Sequence, residues 1–391
     1  MKYFVPMQKK KIPFLKERSC NWNDAFDAES LTSFKAGEPN WRVRMFEATK
    51  HPNGDYRHPF IFCFAHAITD GHSVMTIYKS FIGYLEGLIK NEVIHVTSTP
   101  TCPPLLDVIN ERIKIPTLRR FVNRLSFKIN ELREGSSSLN LTSAVVEKLK
   151  TGHAPCSGVW PLNLTRETSQ KIFKKSKEMG VTVNSFCTVV GTLAMRDLLA
   201  KIDLIPNKDC AIDLMTIYMA STRLIAVPNI SDELVGNLPI MTKTKVPISD
   251  GSSIAVFWKT VKQFDAEIIR QKKSGRMFDM YFSWIDTLNA VTPEAFCDRV
   301  YSNPGSYQQL LAFSNFGRHE LTPPSSERII KFAKTYPGVS EYTNGPALFV
   351  HLLVTVDGLL NWSINHHKNR FSDDILADYE KSMKTLLDSV I

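Results

Sequence analysis

An unbroken apolar run, Phe60-Ile61-Phe62-Cys63-Phe64-Ala65, is closed by His66 and followed by Ala67-Ile68-Thr69-Asp70-Gly71. No other junction constrains the fold as strongly. Six apolar residues ending in a polar turn predict a buried strand. Behind it Val74, Ile77, Tyr78, Phe81, Leu85 and Leu88 recur at spacings of three and four, which predicts a helix. The histidine then stands where a core strand delivers its chain to a cavity.

The spacing His-x-x-x-Asp-Gly has a chemical logic. A neutral imidazole, with an ordinary pKa of about 6.5, takes a proton from a hydroxyl or an amine near neutral pH. Asp70, four residues on, holds the turn in shape, and Gly71 supplies a positive φ that other residues resist. Spacing alone is not selective, because His51-Pro52-Asn53-Gly54-Asp55 matches His-x-x-x-Asp inside an evident turn. Only the copy at 66–71 joins an apolar strand to a helix.

The string Phe64-Ala65-His66-Ala67-Ile68-Thr69-Asp70-Gly71-His72-Ser73 resembles the active-site segment of the chloramphenicol-acetyltransferase-like superfamily. That superfamily includes peptide-synthetase condensation domains, alcohol O-acetyltransferases and plant BAHD acyltransferases. Its usual pattern is His-His-x-x-x-Asp-Gly, and here Ala65 replaces the first histidine. Further segments follow in the family's order. Leu164 to Thr168 opens a helix, Gly180 to Ser185 leads into a second, and Ser221-Thr222-Arg223 followed by Val235-Gly236-Asn237-Leu238 is similar to the conserved arginine and Gly-Asn segment. Ala312 to Gly317 looks like the Ser-Asn-Leu-Gly segment of the condensation and alcohol acetyltransferase branches, while the Asp-Phe-Gly-Trp-Gly signature of BAHD enzymes is absent. Only 65 residues precede the histidine, fewer than in the family, so the opening of the first subdomain is expected to be shortened, in a trimmed active variant or a truncated gene product.

The resemblance implies an α/β fold of two chloramphenicol-acetyltransferase-like subdomains, each a mixed sheet with flanking helices, and an active-site tunnel between them. It implies His66 as the catalytic base, Asp70 as a structural carboxylate with Arg223 as its partner, and Gly71 in the turn. Ser314 or Asn315 is the expected oxyanion donor. The function implied is transfer of an acyl group, acetyl or longer, from acyl-CoA as co-substrate to an alcohol or amine. Two other readings stand beside it: a catalytically silent binding protein that kept the fold, and a condensation-type enzyme fed by a carrier-protein thioester.

Along the chain, residues 1–150 form the lobe that carries the histidine, 151–158 have linker composition, and 159–391 form a second lobe. Thr165 and Ser372 read as helix N-caps, each followed by acidic residues. After Ser372 the residues Ile375, Tyr379, Met383, Leu386 and Val390 predict a closing amphipathic helix. Asp357-Gly358 between two apolar stretches predicts a hairpin.

At 391 residues and 43% hydrophobic content the chain can bury one large core or two ordinary ones. Seven scattered cysteines without Cys-x-x-Cys spacing suggest reduced thiols. The N-terminus lacks a signal-peptide core and no apolar run reaches the ~18 residues of a membrane span, so a cytoplasmic location is expected. Much of the net charge of +9 is local to residues 111–134, where seven basic residues alternate with apolar ones. That stretch reads as a solvated helix face, or as peripheral membrane contact. No nucleic-acid motif accompanies it.

Other constellations fit less well. His66, Asp70 and His72 lack a third protein ligand with ordinary metallohydrolase spacing, so no metal is expected. His366-His367 reads as a surface or strand-end pair, and Cys156 as part of the linker rather than a nucleophile. There is no Gly-x-Ser-x-Gly elbow and no phosphate-binding Gly-Lys loop.

Overall fold

The computed structural model describes residues 13–17, 21–35, 37–95, 102, 105, 121, 122, 125, 129, 137–149, 151–153, 156–224, 230–278, 281, 282, 309–322, 328–340 and 347–391. In its first half the chain forms β1 (Phe14–Glu17), α1 (Trp22–Ser30), β2 (Trp41–Phe46), β3 (Thr49–Lys50), β4 (Tyr56–Arg57), β5 (Phe60–Phe64), α2 (Gly71–Ile89) and α3 (Ser137–Lys148). Then come β6 (Ser157–Leu162), α4 (Arg166–Glu178), α5 (Val183–Lys201), β7 (Ile212–Ser221), β8 (Pro239–Ile248) and α6 (Ile254–Ser274). The chain ends with β9 (Gln309–His319), β10 (Ala347–Val356), β11 (Leu359–His367) and α7 (Asp373–Val390).

A six-stranded mixed sheet, ordered β6-β11-β10-β9-β7-β8, organises the second lobe, with β9 parallel to both β10 and β7. Its β10–β11 hairpin turns on Asp357 and Gly358, whose φ values of 47° and 78° are the left-handed pair that a tight two-residue turn requires. Side chains alternate across a strand. In β10, Phe349, His351 and Leu353 therefore face the core under α5 and α7, while Val350, Leu352 and Val354 face the other way, where Val354 meets Met75 of α2. Thr165 and Thr182 cap α4 and α5 by accepting from Thr168 N and Ser185 N. Ser372 precedes α7 as expected but makes no side-chain cap bond, and the buried stripe is Leu376, Tyr379, Met383, Leu387 and Val390. The stripe is rotated because Ile375 and Leu386 lie at its margins, only partly buried.

The first lobe shows a three-stranded sheet, β1-β2-β5, in which β5 is an edge. The predicted buried strand is thus half-buried along its length. Both of its faces are used all the same. Phe62 packs on Tyr78 and Phe81 of α2, at ring separations of 5.0 and 5.2 Å. On the other face Cys63 lies beside Glu29, which is buried and paired with Arg42 and Arg44. An apolar run can therefore serve an edge strand that is covered by a helix on one side and an ion cluster on the other. The second His-x-x-x-Asp match, at His51, lies in the turn of the β3–β4 ribbon, with His51 Nδ1 3.0 Å from Asn53 Oδ1.

Two boundaries differ from expectation. β6 takes in Ser157 and Gly158, which composition placed in the linker. A side chain at 158 would meet the His366 ring at 2.6 Å, so this glycine serves close packing rather than chain flexibility. His366 and His367 are the strand-end pair of β11 as expected, but they are buried rather than at the surface. In the 111–134 stretch Phe121, Val122, Leu125 and Ile129 are helical and 64%, 51%, 52% and 41% exposed, so these four apolar residues meet solvent. The rest of that stretch lies outside the described residues, as does the N-terminal segment before residue 13. No described helix is long and apolar enough to cross a membrane.

The core contains neutral histidines. Trp362 Nε1 donates to His351 Nδ1 at 3.0 Å, so His351 Nε2–H donates to the Tyr379 hydroxyl at 3.0 Å, which in turn donates to Gly191 O at 2.8 Å. Burial pushes His351 and His366 down to about 3 and His367 down to about 4. Unfolded histidine binds a proton near pH 6.5, so below that value the unfolded chain takes up protons that the fold refuses, and stability is lost as pH falls. A melting series from pH 7.5 to 5.0 is expected to show a steady fall in Tm, in a range where carboxylates scarcely titrate. A flat Tm across that range would contradict the dry placement of these rings.

Candidate active site

The motif turn leaves β5 at Phe64, and its geometry is fixed by hydrogen bonds from both lobes. Asp70 is the N-cap of α2, with Oδ1 accepting from Ser73 N at 2.8 Å. Its Oδ2 accepts from Arg223 Nη1 at 2.5 Å and from Leu238 N at 3.0 Å. The Asp70 amide donates to Gly236 O at 3.1 Å. Arg223, in the short 3-10 turn after β7, also donates from Nη2 to Ser73 Oγ at 3.0 Å and to Leu234 O at 3.1 Å. Ser73 Oγ closes the circuit, donating to Gly236 O at 2.8 Å and accepting from Gly236 N at 3.0 Å. Burial opposes ionisation of Asp70, but the Arg223 guanidinium and the Ser73 and Leu238 amides outweigh it and hold the carboxyl below its ordinary range. Both carboxylate oxygens of Asp70 are thus taken up by bonds that hold the turn.

His66 itself is exposed, so a substrate can reach its ring. Its Nδ1 lies 2.9 Å from Thr69 O. A carbonyl can only accept, so Nδ1 carries the proton and Nε2 keeps a free lone pair. The His66 carbonyl accepts from Asn237 Nδ2 at 2.6 Å, which ties the histidine to the segment before β8. Together these bonds fix the tautomer and the position of the His66 ring.

Gly71 is the first residue of α2, and its φ is not positive, contrary to the expectation from sequence. The glycine is needed for another reason: an added Cβ would lie 2.2 Å from the Phe316 ring. Gly71→Ala is expected to cost about 1–3 kcal/mol through overpacking. Phe316→Leu in the same chain should restore part of the loss. Equal Tm for wild type and Gly71→Ala would show that the ring is not held there.

The two oxyanion candidates separate. Asn315 Oδ1 accepts from Gly317 N at 2.9 Å, where Gly317 has φ of 95°. That bond anchors the side chain to its own turn. Ser314 alternates with Phe313 and shares its strand face with Ala312 and Phe316, the face turned to the motif. Of the three residues weighed as a zinc set, Asp70 is held by Arg223 and His72 Nε2 lies 3.1 Å from Asp232 O. His319, with its ring 5.0 Å from His72, is lowered by burial. Cys156 also titrates high because of burial, which disfavours a thiolate nucleophile. Sequence reasoning did not single out Ser73, although a serine three residues after an Asp N-cap is placed to bond across the first turn.

No protein-family model matches the chain, and no curated protein matches it. Solved structures do. Trichothecene 15-O-acetyltransferase from Fusarium sporotrichioides superposes with a TM-score of 0.62 at 10% identity, over 96% of this chain and 77% of that one. The first condensation domain of the calcium-dependent antibiotic synthetase gives 0.58 at 11% identity, over 99% and 76%. The epimerization domain from the third module of tyrocidine synthetase B gives 0.56 at 12% identity, over 98% and 80%. The mixed sheets with flanking helices agree with these likenesses: the chain has the α/β fold shared by this acetyltransferase, condensation domain and epimerization domain.

Proposed function

We propose that the protein is an acyltransferase that moves an acyl group from acyl-CoA to an alcohol or amine, with His66 as general base. The observation that carries this reading is the Nδ1–H bond from His66 to Thr69 O, which leaves Nε2 free on an exposed ring. Nε2 takes the acceptor's proton as the oxygen or nitrogen attacks the thioester carbonyl. The tetrahedral oxyanion collapses, the C–S bond breaks, and the leaving thiolate recovers the proton from the imidazolium. Nothing is oxidised and no covalent enzyme intermediate is needed. Ser314, on the strand face turned to the motif, would stabilise the oxyanion, and positioning of two substrates would supply much of the remaining acceleration.

Donor identity is tested by presenting the same acyl groups on CoA and on a phosphopantetheinylated carrier protein, with a thiol reagent as the readout. Turnover from CoA supports the proposal. Turnover from the carrier alone makes the protein a condensation-type enzyme, and binding without turnover from either makes it a silent member of the fold.

The exposed apolar residues Phe121, Val122, Leu125 and Ile129, among Arg119, Arg120, Arg124 and Lys128, support peripheral contact with an anionic membrane surface. Co-sedimentation with phosphatidylserine-containing vesicles should drop several-fold in Phe121→Asp and in high salt. Equal recovery of wild type and variant would remove the membrane from the account.

A further inference from the structure

A cavity of about 470 Å³ opens between α5, α7 and the start of α6. It is on the opposite face of the six-stranded sheet from the His66 motif. Tyr379, in its lining, bonds His351 on one face of β10, whereas Val354, on the other face, packs against Met75 of α2. None of the residues around His66 and Asp70 lines it.

Three independent features give this cavity a positive interior. The first is Arg196, which lines it and is only 2% exposed. Its Nη1 donates to Gly251 O at 3.1 Å, and its Nε is buried with no partner among the described residues. A buried guanidinium bonded to a carbonyl rather than a carboxylate is an unfavourable arrangement unless an anion completes it. Burial accordingly lowers its pKa even with Asp197 and Asp209 in the neighbourhood. The second feature is the N-terminus of α6, where Ser252, Ser253 and Ile254 line the cavity and the first turn of this 21-residue helix has no acidic residue to neutralise it. The third is Lys201, Lys208 and Lys381 at the rim, against Asp197 and Asp378. Lys201 and Asp378 pair with each other and Asp197 accepts from Ser382 Oγ, which leaves Lys208 and Lys381 without an ion-pair partner among the described residues. The wall between these groups is apolar, formed by Leu193, Leu386 and Val390.

We propose that this cavity binds an amphiphilic oxyanion, a phosphate or carboxylate head on a short apolar tail, with Arg196 and the α6 N-terminus holding the head and Leu193, Leu386 and Val390 covering the tail. Its volume falls within the range of small-molecule sites. The site does not depend on the reading of His66, and it gives the molecule a second ligand-binding face.

Calorimetric titration of the full chain with octyl phosphate, octanoate and inorganic phosphate tests this. Octyl phosphate should saturate one site with a Kd below about 1 mM, and inorganic phosphate, lacking the tail, should bind at least about tenfold more weakly. The contrast between octyl phosphate and octanoate identifies the preferred head. Lys208→Glu combined with Lys381→Glu changes only exposed side chains, so it should fold normally and weaken octyl phosphate about tenfold or more. Arg196→Met should abolish binding, and His66→Ala should leave it intact. No saturable binding of any of the three probes overturns the proposal, as does an affinity unchanged by the lysine variant, or a loss produced by His66→Ala.

Discussion

His66→Ala will lower acyl transfer by roughly 10²–10⁴-fold, the usual contribution of a positioned general base, while leaving the melting temperature close to that of wild type. The two halves of this expectation have separate origins. The imidazole is exposed, and among the described residues its ring bonds only to Thr69 O, so its removal opens no core cavity and leaves one carbonyl without that donor. The Nε2 lone pair, by contrast, has no substitute nearby, because Asp70 is held by Arg223 and His72 is turned towards Asp232. Ser314→Ala should give a smaller loss in kcat with the fold equally intact. A His66→Ala protein that has lost both activity and its cooperative melt would move the residue from chemistry to structure.

Asp70→Asn or Arg223→Met will each destabilise the protein by about 3–5 kcal/mol, because either change leaves its partner as a buried, uncompensated charge. Asp70 and Arg223 are 6% and 3% exposed, so solvent cannot screen the charge that remains. Asn is itself a good N-cap, so the effect of Asp70→Asn reports the ion pair rather than the loss of the α2 cap. The double variant should cost much less than the sum, giving a coupling energy that urea-unfolding midpoints measure directly. Additive effects would mean that the two residues act separately. The sign of the pH dependence follows from the depressed carboxyl: the pair's contribution is complete above the unfolded Asp value near 4 and is lost as pH falls below it. That acid loss lies below the window in which the buried histidines act.

Much of this was legible in the residues because it was written in local patterns. Asp357-Gly358 specifies its hairpin through two positive φ values, and Thr165 and Thr182 specify their helix starts through hydroxyls that the first turn requires. The pairing of Asp70 with Arg223, separated by 153 positions, came only from the order of segments that the chain shares with a known family. What local patterns could not carry was packing between distant segments. Gly71 reads as a turn glycine until the Phe316 ring is seen lying over it, and Gly158 reads as a linker until His366 is seen against it. The apolar run at 60–65 looks the same whether both of its faces meet a core or one meets α2 and the other an ion cluster. Ser73 joins the site through a hydroxyl that touches Arg223 and Gly236, neither of which is close in sequence. Asn315 was separated from Ser314 by strand alternation and the Gly317 turn, which adjacent letters do not reveal.

The central claim, that the exposed Nε2 of His66 takes a proton from an acceptor during acyl transfer, is tested most directly by mass analysis of acceptor mixtures incubated with acyl-CoA and either wild-type protein or His66→Ala. The account predicts that wild type produces an acceptor heavier by one acyl group and releases CoA thiol in equal amount, and that the variant, folded to the same Tm, forms at most about one hundredth as much. Product formed by His66→Ala at the wild-type rate would contradict it.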